Sequence, residues 1–103
     1  MKKNSYSIEE EWMIAERSEL IVRGLTLGTV SDDEAKKTLR AVRLCATRAN
    51  YSSSSTTVSN ARREVALASL DLIVTLKNLS LRDQKIGRAV NAVEAWKREL
   101  ATL

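Results

Sequence analysis

The chain of 103 residues contains no proline, no histidine and no phenylalanine, and it has only three glycines and one cysteine. The lack of proline and the scarcity of glycine remove the residues that most often interrupt helices. Alanine, leucine, arginine, lysine and glutamate are frequent instead, which favours an all-α protein. A chain of this length has the size of one domain with a small hydrophobic core.

The missing histidine excludes several kinds of active site. Ser-His-Asp catalysis, Cys-His catalysis, phosphohistidine transfer and histidine-ligated zinc all require an imidazole ring. The single cysteine, Cys45, cannot by itself hold a structural zinc ion or an iron–sulfur cluster. Neither common glycine-rich phosphate loop is present. We therefore expect a protein that is not an enzyme and that has no cofactor and no metal.

The remaining acidic and thiol groups have structural explanations. The clusters Glu9–Glu11 and Asp32–Glu34 follow Ser7 and Ser31 in two S-x-x-E patterns, which are typical of capping boxes at helix starts. Asp71 has apolar neighbours in sequence, yet helical periodicity places it on the polar line of its helix, so we expect a solvated carboxylate. Cys45 is predicted to be a buried core thiol.

Capping signals and apolar periodicity predict four helices, arranged as two antiparallel hairpins in one four-helix, bundle-like domain over residues 1–103. A weaker cap is predicted at Ser80, and Gly24 and Gly28 are expected to mark the end of the first helix. The expected helices are about Ile8–Arg23, Asp32–Asn50, Val58–Leu79 and Leu81–Ala101. Residues 1–6 are predicted to be a disordered tail, and residues 51–57 a Ser/Thr-rich joint between the hairpins.

Several predicted helices carry more apolar surface than one small monomer covers. Helix 3 is apolar over most of its circumference, so it is either central or covered by a second chain. Met13 and Leu20 lie nearly opposite the main apolar face of helix 1. The apolar stripe of helix 4 continues to the last residue. We expect a homodimer, and the joint between the hairpins would permit domain swapping. The predicted protein interface consists of Met13, Leu20, Trp96, Leu100 and Leu103.

Basic residues form a second candidate surface, since the net charge is +4. Helical spacing brings several lysines and arginines of helix 2 to one face, and two arginines open helix 3. Such a face either follows a phosphate backbone or is an ordinary solvated exterior. Ser55–Ser59 also resembles the start of a recognition helix in a helix-turn-helix motif, although the expected glycine is missing from the turn. The candidate nucleic-acid contacts are Lys36, Lys37, Arg40, Arg43, Arg62 and Arg63.

These patterns favour a non-enzymatic, self-associating protein–protein interaction module, such as a small regulator, adaptor or chaperone-like protein. The alternative is a nucleic-acid-binding regulator that uses the basic face of helix 2. The longest apolar run, Val65–Leu76, is too short to span a membrane. The amino-terminal residues lack the apolar run of a secretory signal. We therefore expect a cytoplasmic protein that has no membrane partner and that binds another protein.

Overall fold

The computed structural model describes residues 7–50 and 56–103. Within these ranges the chain forms four helices and no strand, which confirms the all-α prediction. The helices are α1 (Ile8–Leu27), α2 (Asp32–Asn50), α3 (Thr56–Thr75) and α4 (Leu79–Ala101).

The bounds of α2 agree with the sequence prediction, whereas the other three helices differ from it. Helix α1 is longer than expected, both α3 and α4 begin two residues earlier than expected, and α3 ends at Thr75, four residues earlier than expected. Residues 56 and 57 of the predicted joint belong to α3. The predicted tail over residues 1–6 and the rest of the joint, residues 51–55, lie outside the described residues.

Two of the three predicted caps are present. The hydroxyl of Ser7 accepts a hydrogen bond from the Glu10 amide at 3.1 Å, and the Glu10 carboxylate accepts one from the Ser7 amide at 2.9 Å. Ser31 likewise accepts a hydrogen bond from the Glu34 amide at 3.2 Å. The prediction for Ser80 is wrong, because α4 begins one residue before it and Asn78 occupies the N-cap position.

The end of α1 depends on two glycines with different roles. Gly28 adopts a left-handed conformation with φ of 76°, and its amide hydrogen-bonds to the Gly24 carbonyl. Gly24 remains inside the helix, which explains why α1 is longer than expected. A β-carbon at Gly24 would lie 2.4 Å from Cγ2 of Val30, so this glycine lets the following loop pack closely on α1.

Each helix packs against the next one in the chain, and α4 packs back against α1. Helices α1 and α3 therefore face each other across the bundle, as do α2 and α4. Helix α3 is not central, because its outward face is exposed to solvent. The small side chains of Ala35, Cys45 and Ala46 on α2 belong to the core. Buried residues from all four helices form that core, and they include Ala15, Val22, Leu39, Val42, Ala46, Val65, Leu72, Ile86, Val93 and Trp96.

Among the described residues, none of the helices is long and apolar enough to cross a membrane.

Candidate functional site

A buried polar cluster joins all four helices near the end of the bundle where α2 ends and α3 begins. Glu11 of α1 is fully buried, and Arg62 of α3 is only 6% exposed. The Arg62 guanidinium donates to both Glu11 carboxylate oxygens, from Nε at 2.5 Å and from Nη2 at 2.6 Å. The indole nitrogen of Trp96 in α4 donates to Glu11 Oε2 at 2.8 Å. A longer contact of 3.5 Å joins Arg62 Nη1 to the Ala49 carbonyl of α2.

This polar cluster fixes the relative positions of the helices. A buried carboxylate is costly unless it is paired and hydrogen-bonded, and Glu11 accepts three side-chain hydrogen bonds. A two-point contact between arginine and a carboxylate also restricts the orientation of both groups. Because Glu11 is fully buried and both of its oxygens are engaged, we assign the cluster a structural role.

Cys45 of α2 lies in the core close to this cluster. Burial raises the pKa of its thiol to about 12, and the nearby Glu11 carboxylate adds to the rise. The thiol is therefore protonated at neutral pH, and a protonated thiol is a poor nucleophile. Cys45 is buried, as the sequence predicted.

The predicted protein interface divides into buried and exposed residues. Trp96 is fully buried and Leu100 is 3% exposed, so both belong to the core of the chain itself. Their assignment to an interface is corrected here, because the other helices of the same chain cover the apolar stripe of α4. Met13, Leu20 and Leu103 are exposed, but Leu103 follows α4 whereas Met13 and Leu20 lie on α1.

Met13 and Leu20 line a shallow groove on the outer face of α1. They are 68% and 72% exposed, which is high for large apolar side chains. The groove has a volume of about 520 Å³. Its walls are Glu10, Met13, Ile14, Glu16, Arg17 and Leu20. The structure thus brings the two predicted residues together on one apolar surface.

A second apolar surface, the α3 stripe, consists of Leu67, Leu70 and Val74. These residues follow one another at steps of three and four, so they lie along one line of the helix. All three are exposed on the side of α3 that faces away from the core. Arg63 and Lys77 lie at the two ends of the stripe, and neither forms an ion pair with any described residue.

Four of the eight charged side chains of α4, Lys85, Arg88, Glu94 and Lys97, are paired with α1 or α3. Lys97 donates to Glu19 at 2.9 Å and lies 5.1 Å from the centre of the Trp12 ring. The hydrogen bond from Lys97 lowers the pKa of the Glu19 carboxyl. On the other side of α4, Arg88 donates to Glu64 at 2.8 Å and at 3.1 Å. These pairs tie neighbouring helices together at the surface.

Asp71 belongs to the second of these groups of ion pairs. Its carboxylate lies 2.9 Å from the Lys85 ammonium and 3.2 Å from the Arg88 guanidinium. The hydrogen bond from Lys85 is the main reason why the pKa of this carboxyl is lowered. Asp71 thus lies on the polar line of α3, as the sequence predicted, and links α3 to α4.

The basic residues of α2 have no such partners among the described residues. Lys37, Arg40 and Arg43 are exposed, and Lys36 is half-buried. Arg48 adds a further exposed cation. None of these five residues appears in an ion pair within the described part of the chain, although the first turn of α2 carries three acids. The five cations of α2 outnumber its three acids by two, and α2 therefore presents basic side chains that no carboxylate of the described residues neutralises by an ion pair.

The two arginines at the start of α3 point in different directions. Arg63 is exposed, whereas Arg62 is buried against Glu11. The prediction that Arg62 contacts nucleic acid is therefore wrong, because its side chain is buried and paired with Glu11. Val58, which belongs to the segment that resembles a recognition helix, is also buried in the core of the bundle. This placement does not favour a helix-turn-helix motif.

Sequence reasoning missed the polar cluster. The sequence analysis assigned Glu11 to an acidic cluster at a helix start and Arg62 to the candidate nucleic-acid contacts. One signal was available, because Glu11 shares the buried helical phase of Ala15, Ser18 and Val22. An acid in phase with core residues requires a buried partner of opposite charge.

The chain matches no protein-family model, no curated protein and no solved structure.

Proposed function

We propose that the chain is a non-enzymatic α-helical module that binds other proteins and associates with itself. The observation that carries this proposal is the α3 stripe, where Leu67, Leu70 and Val74 form a continuous exposed line. Single exposed apolar residues are common on monomers, but a contiguous apolar patch is typical of a binding surface.

The spacing of the α3 stripe is suited to a helical partner. Apolar residues separated by three and four positions pack against a similar line on a second helix. Arg63 and Lys77 at the two ends of the stripe favour a partner that carries acidic residues on either side of its apolar line. A small regulator or adaptor would use such a face to bind one helix of its target.

Affinity capture with tagged protein tests this proposal. The protein is immobilised and exposed to a nuclease-treated lysate of its own cells, and the retained proteins are identified by mass spectrometry. We expect a specific set of proteins, and we expect the variant Leu67→Gln/Leu70→Gln/Val74→Gln to lose it, because glutamine preserves the helix but removes the apolar contact.

The matched control is Leu27→Gln/Leu79→Gln, which removes two exposed leucines that lie outside the α3 stripe. Circular dichroism verifies that both variants remain helical. If the α3 variant and the control retain the same proteins as the unaltered chain, the α3 stripe is not the binding face. Arg63→Glu/Lys77→Glu should weaken capture without abolishing it, because charges at the rim of an interface mainly affect association rates.

The unpaired cations of α2 support a second candidate, a nucleic-acid-binding regulator. Lysine and arginine that neutralise phosphates release counterions, so binding falls steeply as salt increases. We expect gel retardation of nucleic acid at low salt and its loss in Arg40→Glu/Arg43→Glu. The control Lys77→Glu/Arg98→Glu changes the net charge equally outside α2, because Lys77 lies between α3 and α4 and Arg98 lies on α4. No retardation by the unaltered protein at low salt would eliminate this candidate.

A further inference from the structure

The outer face of α1 has a pattern that complements itself. Met13 and Leu20 are seven positions apart and strongly exposed, and Glu16 and Arg17 lie between them on the same face. The face therefore has one acid and one base at its centre and one apolar residue on each side. When a second copy of α1 runs in the opposite direction, each apolar residue meets an apolar residue, and each charge meets the opposite charge. A two-fold symmetric interface requires a surface of this kind.

We infer that two copies of the chain associate through this face of α1, with the two helices antiparallel and the two-fold axis between Glu16 and Arg17. Met13 then packs on Leu20 of the second copy, and Glu16 lies opposite Arg17 of the second copy. Symmetry repeats both contacts. The groove beside Met13 and Leu20 receives the apolar side chain of the other copy.

The central charges are available for this contact. Arg17 forms no ion pair among the described residues, and the contact of Glu16 with Lys97 is long, at 3.9 Å. By contrast, Glu19 of α1 and Glu94 of α4 both form ion pairs with Arg23, at 3.0 Å and 2.5 Å. Pairing Glu16 with Arg17 of a second copy therefore requires no existing close ion pair to be broken.

The other two exposed faces do not complement themselves. The α3 stripe ends in Arg63 and Lys77, so an antiparallel copy centred on the stripe would bring like charges together. The exposed face of α2 presents Leu44 among several cations and would repel a second copy. Of the three faces, α1 is therefore the one suited to a second identical chain.

A contact of one helix per subunit is small compared with permanent dimer interfaces, so the dimer should be reversible. Analytical ultracentrifugation from micromolar to submillimolar concentration measures its dissociation constant. We expect the unaltered chain to dimerise and Leu20→Lys to remain monomeric. Glu16→Arg and Arg17→Glu should each weaken the dimer about tenfold, because each places two like-charged pairs in the interface.

Exchanging the charges provides the decisive control. The double variant Glu16→Arg/Arg17→Glu should regain the dissociation constant of the unaltered chain, because both ion pairs are restored with reversed sign. An equimolar mixture of the two single variants should form a heterodimer for the same reason. A merely destabilising effect of either single substitution would not be reversed in this way, and denaturation curves verify that each variant is folded.

This inference rests on the self-association part of the proposed function. A monomer at every concentration would overturn both the inference and self-association, while capture of other proteins through the α3 stripe would still be tested separately. A dimer that survives Leu20→Lys and both charge reversals would overturn the α1 interface and retain self-association. If the dimer is lost in Leu67→Gln/Leu70→Gln/Val74→Gln instead, the dimer interface lies on α3 and the inference about α1 is wrong.

Discussion

Arg62 and Glu11 lie 51 positions apart in the sequence and form a buried two-point ion pair near one end of the bundle. The pair joins α1 to α3, which lie diagonally opposite each other across the core. Trp96 of α4 donates to the same carboxylate, so one acid holds side chains from two other helices. The Glu11 carboxylate thus helps to fix the relative positions of α1, α3 and α4.

Removing either member of this pair should strongly destabilise the fold. Arg62→Met leaves the Glu11 carboxylate buried without a cation, and we expect a loss of about 3–5 kcal/mol in the free energy of unfolding. Glu11→Gln leaves the guanidinium without its anion but preserves an acceptor for Trp96. The combined variant Glu11→Gln/Arg62→Met should recover much of this loss, since no unpaired buried charge remains.

Urea denaturation of the two single variants and the double variant measures this coupling. Additive losses in the double variant would show that the pair does not act as a unit. Surface pairs provide the comparison, because Arg88→Met, which breaks the exposed contact with Glu64, should cost only about 1 kcal/mol or less.

Ser18 on α1 should be a site where a substitution stabilises the protein. Its side chain is fully buried, and its hydroxyl has no hydrogen-bond partner within the described structure. Ser18→Ala removes this unsatisfied group and introduces a better helix former, so we expect a gain of about 1 kcal/mol in unfolding free energy. The opposite sign is expected for Thr75→Val, which keeps the side-chain shape but removes a hydrogen bond to the Asp71 carbonyl at 2.9 Å. Thermal denaturation of Ser18→Ala and Thr75→Val tests this prediction: the melting temperature should rise in the first variant and fall in the second.

Two glycines inside helices should respond to alanine in opposite ways. At Gly87 of α4 a β-carbon would meet no atom within 4 Å, so Gly87→Ala should stabilise the protein by about 1 kcal/mol through helix propensity. At Gly24 the same β-carbon would lie 2.4 Å from Cγ2 of Val30. Gly24→Ala should therefore be destabilising, and Gly24→Ala/Val30→Ala should recover part of the loss. Equal melting temperatures for the two single variants would contradict this account of Gly24.

Local features of the fold were predictable from the sequence because they depend on neighbouring residues. The capping box at Ser7 and the bounds of α2 follow from patterns within a few helical turns. The predicted cap at Ser80 was wrong because the local pattern near this helix start is ambiguous. Several polar residues near Asn78 are compatible with a helix start, and the sequence pattern does not select between them.

The misassigned site residues depend on contacts between distant parts of the chain. Periodicity showed that Trp96 and Leu100 lie on an apolar stripe, but it could not show that the same chain covers this stripe. The inward orientation of Arg62 depends on an acid on a helix that lies across the bundle. By contrast, the exposure of Met13 and Leu20 was predictable, because both residues lie outside the apolar phase of their own helix.

Cys45 should make stability depend on pH in alkaline solution. The pKa of its thiol is raised from 9.0 to about 12 by burial, so the folded state retains this proton at pH values where the unfolded state loses it. The contribution of this group is fully present below about pH 9 and is lost as the pH rises towards 12. In this window the free energy of unfolding should fall by up to about 1.4 kcal/mol per pH unit. Urea denaturation at several pH values measures this slope, and Cys45→Ala isolates it, because lysines and tyrosines titrate equally in both proteins. Parallel curves for the unaltered chain and Cys45→Ala would show that the thiol is not held protonated.

Labelling of Cys45 with a thiol reagent at pH 8 should likewise be slow in the folded protein and fast in urea, since thiolate is the reactive form.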